Sequence, residues 1–315
     1  MTRADSQRTS SGVAAKRRKT GGRIRQINWV GVAFVAPSVI IVVALLFYPL
    51  VSSAFYSMTT KHLIKPSYDF VGFDNFAKLI KDPAYWHAFF NSIKWTLASV
   101  LGQLGLGFAL AMALNKVRRG SALFRTLLII PWAFPAVIIA FTWKWLLNDV
   151  YGFVPNLLQD MSITDQVVAL LADPGTVLWV VLGINIWFGT PLFMVNILSA
   201  LKTVPADQLE AAHVDGANAL QRFRHVTLHH IRSVIGLLVI LRTIWVFNNF
   251  DLLFLITGGG PGDMTTTLPI FAYRTGWGLK QLGMASAVTI LLLVFLSLIA
   301  LVLFRFISRW EREDR

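Results

Sequence analysis

The sequence predicts an all-α membrane protein with six transmembrane helices and both termini in the cytoplasm, and three observations predict it. Of 315 residues, 55% are hydrophobic and 14% charged, against the quarter or so charged that is usual in a soluble domain. Six apolar stretches follow one another, at residues 29–50, 89–114, 126–147, 176–200, 233–256 and 281–304. Each is near the roughly 20 residues that a helical crossing needs. The Lys and Arg residues alternate between the connections: eight in 1–28, four in 115–125, four in 201–232 and four from Arg305 onward, against four, none and two in the other three. Basic residues concentrate in cytoplasmic loops, which puts the tail, these two loops and the C-terminal stretch 305–315 on the inside.

Taken in order, residues 1–28 are polar, basic and Gly/Ser-containing, and are expected to form a disordered cytoplasmic tail. The apolar run that follows is longer than a signal-peptide core, shows no cleavage site and is read as the first span. The stretch YDFVGFDNFAKLIKDPAYWHAFF then mixes aromatics with Asp and Lys, as an amphipathic segment at the outer interface does, with Tyr85 and Trp86 as belt residues. Span two is uninterrupted. Span three contains Pro131 and Pro135, which remove backbone donors and kink or break its first turns. The next connection carries Asp149, Asp160, Asp165 and Asp173 with no Lys or Arg, and is expected outside. After span five, the run TGGGPG at 257–262 lacks the Lys and Ser/Thr that a phosphate cradle needs, and is read as a tight outer turn. Residues 29–304 thus form one six-span domain.

Several classes of chemistry are excluded. There is no cysteine, hence no disulfide or thiolate metal site, and no nucleotide-binding, metalloprotease or nucleophile-elbow motif. No catalytic residue and no cofactor are assigned to this chain. His225, His229 and His230 lack metal-ligand spacing, Lys94 and Lys144 snorkel from helix ends, and the net charge of +13 comes from short membrane-flanking segments rather than a nucleic-acid-binding face.

The 201–232 loop, LKTVPADQLEAAHVDGANALQRFRHVTLHHIR, is long and mixed in charge. Pro205 suits a first helical turn and Asp207 the positive end of that helix. Asp215 and Gly216 interrupt the helix, and Asp215 is expected to cap a second short helix starting near Ala217. Two short helices then meet at a tight turn, with small residues where close approach is allowed and with Glu210 placed to pair with a basic residue, Arg222 or Arg224 of the same loop or one on a partner protein.

Glu210, Ala211, Ala212, Asp215, Gly216, Ala217 and Phe223, with Pro205 upstream, resemble the EAA signature of membrane subunits of bacterial ABC importers. The residues Asn249, Phe250 and Asp251, then Leu255 and the run 257–262, then Tyr273 and Arg274, resemble the carbohydrate branch, in particular the maltodextrin and glycerol-3-phosphate permease type. The resemblance implies a type I ABC importer transmembrane domain in a bacterial cell membrane, with the 201–232 loop seated on the ATPase. It also implies the partners: a homologous second permease subunit, two ATPase subunits that hold ATP and Mg, an extracytoplasmic solute-binding protein, membrane lipid and a sugar-like substrate. His229 stands where the family usually has proline, so a less sharply broken start of span five is expected.

Polar groups inside a span need a reason. Span four carries Asn185, Trp187, Phe188 and Gly189; span five carries Arg242, Trp245, Asn248 and Asn249, with 242, 245 and 249 expected on one helical face. Together they are expected to form an aqueous pocket near the midplane; by resemblance Asn185, Trp187, Phe188, Gly189, Arg242 and Trp245 line the substrate path, whereas Leu192 and Val246 depart from a maltodextrin site. Arg242 leaves open an anionic cargo, a polyol phosphate or glycerophosphodiester. From another class, an ATP-independent carrier or a membrane scaffold fits the spans but leaves the loop signature unexplained.

Overall fold

The structure, a computed structural model, describes residues 29–117, 119–164 and 166–313, so the tail at 1–28 and Asp165 lie outside the described residues. The chain divides into two units, Met1–Leu50 and Val51–Arg315. The first contributes most of α1 (Trp29–Tyr56), which runs on past residue 50. Its residues are apolar on every side and exposed, as a lipid-facing helix requires.

In the second unit, α2 (Asp74–Lys81) carries an i,i+4 ion pair from Lys78 to Asp74 at 2.7 Å. The helix α3 (Pro83–Lys116) starts six residues ahead of the apolar stretch at 89. The cause is local chemistry that hydropathy does not see: Asp82 accepts from the Ala84 N–H at 2.9 Å, and Pro83 occupies a first-turn position where its missing N–H costs nothing. The early start turns Tyr85 into the core against Phe89 and Phe271, 6% exposed, so Tyr85 is not a belt residue. Only Trp86 remains half-exposed, its indole N–H donating to Ile80 O.

Span three is two helices, α4 (Ser121–Ala133) and α5 (Ala136–Leu146), bent by 90° at Phe134 and Pro135. The two prolines break this segment far more sharply than a kink. A short helix that sequence periodicity did not mark, α6 (Phe153–Asp160), precedes α7 (Val177–Leu201). After α7 come α8 (Ala206–Val214), α9 (Ala219–Arg222), a π-helical turn (Phe223–Thr227) and α10 (Leu228–Phe247). The C-terminal part holds α11 (Asp251–Thr257), α12 (Leu268–Tyr273), a second π-helical turn (Arg274–Gly278) and α13 (Leu282–Glu313). Thus α13 continues helically beyond residue 304. Among the described residues, five helices are long and apolar enough to cross a membrane, and the bent α4–α5 pair makes a sixth crossing if it is one broken span. The protein is an all-α, multi-pass membrane protein.

The core sits on the α3–α7 crossing. A Cβ on Gly107 would lie 2.5 Å from Phe193 Cβ, so glycine alone allows this approach. Phe193, Met194 and Ile197 are 0% exposed beneath it. Trp95 ties α3 to α10, its indole donating to Val246 O at 3.1 Å, which also buries Val246. At the other flank of α10, a Cβ on Gly236 would lie 2.7 Å from Ile307 Cδ1 of α13.

Candidate functional site

Two regions hold the candidate residues: the 201–232 loop and a polar cluster at mid-helix depth. In the loop, Pro205 precedes α8 and Asp207 lies in its first turn. Asp215 closes α8 rather than opening the next helix. Gly216 then takes φ +82°, a left-handed conformation closed to most side chains; nothing lies within 4 Å of an added Cβ, so the demand is purely conformational. The cap of α9 is Asn218, which accepts from Gln221 N at 2.9 Å while the Gln221 side chain accepts from Asn218 N at 2.8 Å. That reciprocal box outperforms Asp215 because it sits one position before the helix.

The second helix is not a separate short one. It passes through the π-helical turn into α10, and His229 lies inside it without a break. Phe223, in that turn, meets Phe108 of α3 edge-on, ring centroids 5.8 Å apart. Ala212 and Ala217 are half-buried, with Ala217 N donating to Ala212 O; Ala211 and Glu210 are exposed. Among the described residues Glu210 joins no ion pair with Arg222 or Arg224. At the tip two apolar side chains stand out, Val214 at 86% and Leu220 at 72% exposed. The sequence reading passed over both; apolar residues in a polar loop were the signal.

At mid-helix depth, Arg242 of α10 is 8% exposed and donates from Nε and Nη2 to Gln103 Oε1 of α3, at 2.9 and 2.7 Å. Gln103 Nε2 donates to Asn185 O of α7 at 2.9 Å, and Asn185 Nδ2 to Ser99 Oγ at 2.8 Å. Gly189 makes the room: a Cβ there would lie 2.3 Å from Gln103 Nε2 and 2.4 Å from Arg242 Nη2. Among the described residues, no carboxylate pairs with Arg242. Asn185, Gly189 and Arg242 are therefore brought together, but as an inward clasp joining three helices. Ser99 and Gln103 were missed by the sequence reading, although two polar residues at i,i+4 inside a span are a signal in themselves.

The aromatic candidates point elsewhere. Trp187 is 43% exposed, packs edge-on to Trp143 at 5.6 Å, and lines an apolar cavity of about 490 Å³ with Leu106, Pro131 and Thr190. Trp245 is 54% exposed, and Phe188 is half-buried against the core. Asn248 ends α10, its amide turned back onto Ile244 O at 2.9 Å. Asn249 lies past the helix end, in the break before α11, so it does not share a helical face with Arg242 and Trp245; its Oδ1 is buried without a partner. Lys144 does more than snorkel, since its ammonium donates to Leu255 O at 3.2 Å.

The glycine-rich turn is a built structure. Gly258 and Gly259 have φ of +63° and +97°. Arg274 donates to Gly258 O at 2.7 Å and pairs with Asp263, while the Asn91 amide reaches the carbonyls of Asp263, Met264 and Thr266. Rings of Phe250, Phe254 and Tyr273 pack together at 4.6 to 5.0 Å. Phe250, the glycine turn, Tyr273 and Arg274, which carry part of the carbohydrate-branch resemblance, are thus brought together. Among the described residues no group of three or more His, Cys, Asp or Glu is placed to hold a metal.

Residues 104–313 match the model for "binding-protein-dependent transport system inner membrane component". The probable ABC transporter permease protein y4oQ of Sinorhizobium fredii is 33% identical, with 92% of each chain covered. The trehalose/maltose transport system permease protein MalF of Thermococcus litoralis is 29% identical over 90% of this chain and 95% of its own. Among solved structures, a bacterial ABC transporter involved in import of the acidic polysaccharide alginate superposes with a TM-score of 0.77 at 23% identity, over 89% of this chain and 96% of that one. At that identity it shows the fold alone.

Proposed function

The chain belongs to the family of binding-protein-dependent transport system inner membrane components, the non-catalytic permeases of ABC transporters, and from that premise we propose that it forms half of the path of a sugar importer. Its partners are a homologous permease, two ATPase subunits holding ATP and Mg, and a solute-binding protein. The α4–α5 pair is one broken crossing, which places both termini and the 201–232 loop in the cytoplasm.

The observation that carries this reading is the loop: a rigid two-helix tip with two exposed apolar side chains, fused to α10, which holds Arg242 and Trp245. Val214 and Leu220 seat in a groove of the ATPase, aided by Glu210, Ala211, Ala212 and Ala217, with Asp215 and Gly216 setting the turn. Phe223 anchors the loop to α3, so that ATP-driven movement reaches α3 and α10 together.

For cargo, the geometry favours a neutral sugar or short oligosaccharide over an anion. Arg242 already gives two hydrogen bonds to Gln103 and is screened behind α7, whereas the indoles of Trp187 and Trp245 are exposed and suit the C–H faces of a sugar ring. The likeness to a trehalose/maltose permease supports the same class.

Reconstitution of the complete complex in proteoliposomes tests both halves. Val214→Asp with Leu220→Asp is expected to abolish ATP-dependent uptake while the permease pair still assembles. Trp245→Ala is expected to lower sugar uptake severalfold, up to about tenfold, in line with loss of one ring contact of ~0.5–1.5 kcal/mol. Assembly without any ATPase partner would overturn the importer reading. Selective loss of an anionic cargo in Arg242→Gln, with neutral sugars spared, would overturn the neutral-sugar reading.

A further inference from the structure

The segment between α5 and α7 carries an apolar stripe that no role above uses. On α6, Phe153, Leu157 and Met161, the last being the residue that ends the helix, recur every four residues along one side and are 63%, 40% and 61% exposed. Val150 before the helix and Ile163 after it add 80% and 62% exposed apolar side chains. Gln159 lies opposite the stripe and Asn156 flanks it, whereas Asp160, three residues after Leu157 and seven after Phe153, borders the stripe itself; Val154, on a further side, packs on the core. Its conformation is fixed rather than loose. Asn148 Oδ1 accepts from Val150 N and Tyr151 N, and Gly152 N donates to Asn148 O at 2.8 Å. A Cβ on Gly152 would lie 2.2 Å from that same Asn148 carbonyl, so only glycine closes the turn.

A depth marker lies beside it. Trp145, in the last turn of α5 and 68% exposed, meets Tyr151 edge-on at 6.0 Å. Paired exposed Trp and Tyr at the end of an apolar helix sit at the headgroup level of a bilayer, so the stripe beginning at residue 150 lies at the same level. The whole connection, 148–175, has no Lys or Arg, and of its acids only Asp160 lies on α6.

We propose that α6 is an interfacial helix lying in the plane of the membrane, with Phe153, Leu157 and Met161 in the acyl boundary of the leaflet where α5 ends, Asn156 and Gln159 toward water, and the Asp160 carboxylate at the headgroup border of the stripe. The occupant of the stripe is lipid, not another protein. On the sidedness proposed above this is the outer leaflet, but the seating itself depends on neither the cargo nor the sidedness.

The absence of cysteine makes the test direct. Single substitutions Phe153→Cys, Leu157→Cys, Met161→Cys, Asn156→Cys and Gln159→Cys are introduced into the full complex in lipid nanodiscs and labelled with bimane. Quenching is then measured with doxyl-phosphatidylcholine in the lipid and with iodide in the water. The expected pattern is periodic: positions 153, 157 and 161 quenched about twofold or more better by the doxyl lipid than 156 and 159, and the reverse for iodide, as an amphipathic interfacial helix requires. Equal iodide access at all five positions overturns the proposal in favour of a solvated loop. Shielding of 153, 157 and 161 from both quenchers overturns it in favour of a protein partner, and omitting the solute-binding protein from the complex then identifies which. Each variant's ATPase activity confirms folding, so a misfolded variant is not scored.

Discussion

Arg242 carries its charge at membrane depth on one side-chain acceptor, Gln103 Oε1. Removing that acceptor strands the charge, whereas removing both groups leaves an apolar contact. Gln103→Leu is therefore expected to cost ~3 kcal/mol or more, and Gln103→Leu with Arg242→Leu to recover most of it; thermal unfolding of the purified complex in a double-mutant cycle measures both. Gly189→Ala places its methyl 2.3 Å from Gln103 Nε2 and 2.4 Å from Arg242 Nη2, so it is expected to lower stability by ~1–3 kcal/mol through overpacking, read in the same assay. At this scale the sequence disclosed half of the cluster. Asn185, Gly189 and Arg242 stood out as polar or small groups in apolar spans. Their partners on α3 did not, because which face of α3 meets α7 is decided by Gly107 against Phe193, a contact between residues far apart in the chain.

The elements are set by caps and breakers more than by hydropathy. Asp82 starts α3 early, Pro135 splits α4 from α5, and the Asn218–Gln221 box starts α9. Asn218→Ala should cost ~1 kcal/mol of local helix stability, and Gly216→Val, which forces a β-branched residue to positive φ, ~1–2 kcal/mol. Neither is large enough to unfold the protein, so both are expected to appear as reduced ATPase stimulation with the complex intact, and faster hydrogen exchange across 206–222 checks the cause. The prolines of span three were plain in the sequence as breakers, but a 90° turn was not, since its angle is fixed by α5 packing on α11 and α4 on α7. The α6 helix escaped periodicity because eight residues with an internal proline give too short a pattern.

For the whole molecule, the charge asymmetry among the loops and the apolar stretches revealed the class of protein, because the bilayer imposes the same demands on every crossing. Whether α4–α5 crosses or returns is a separate matter. With no native cysteine, Ser121→Cys and Asp173→Cys on opposite sides is the expected result: an impermeant maleimide labels Asp173→Cys in intact cells and Ser121→Cys only after permeabilisation. Labelling of both from one side would make the pair re-entrant and move the termini to opposite faces. The continuous run from α9 into α10 carries a mechanical consequence. Gly236 rests against Ile307 with no side chain between them, and a close bearing of that kind is a fulcrum. About 24 Å of helix separates it from Leu220 and about 16 Å from Phe247, at 1.5 Å per residue. With no joint at His229 the run is one beam, and under the proposed docking a stroke at the Leu220 end is expected to arrive at the far end reversed in direction and shortened to about two-thirds.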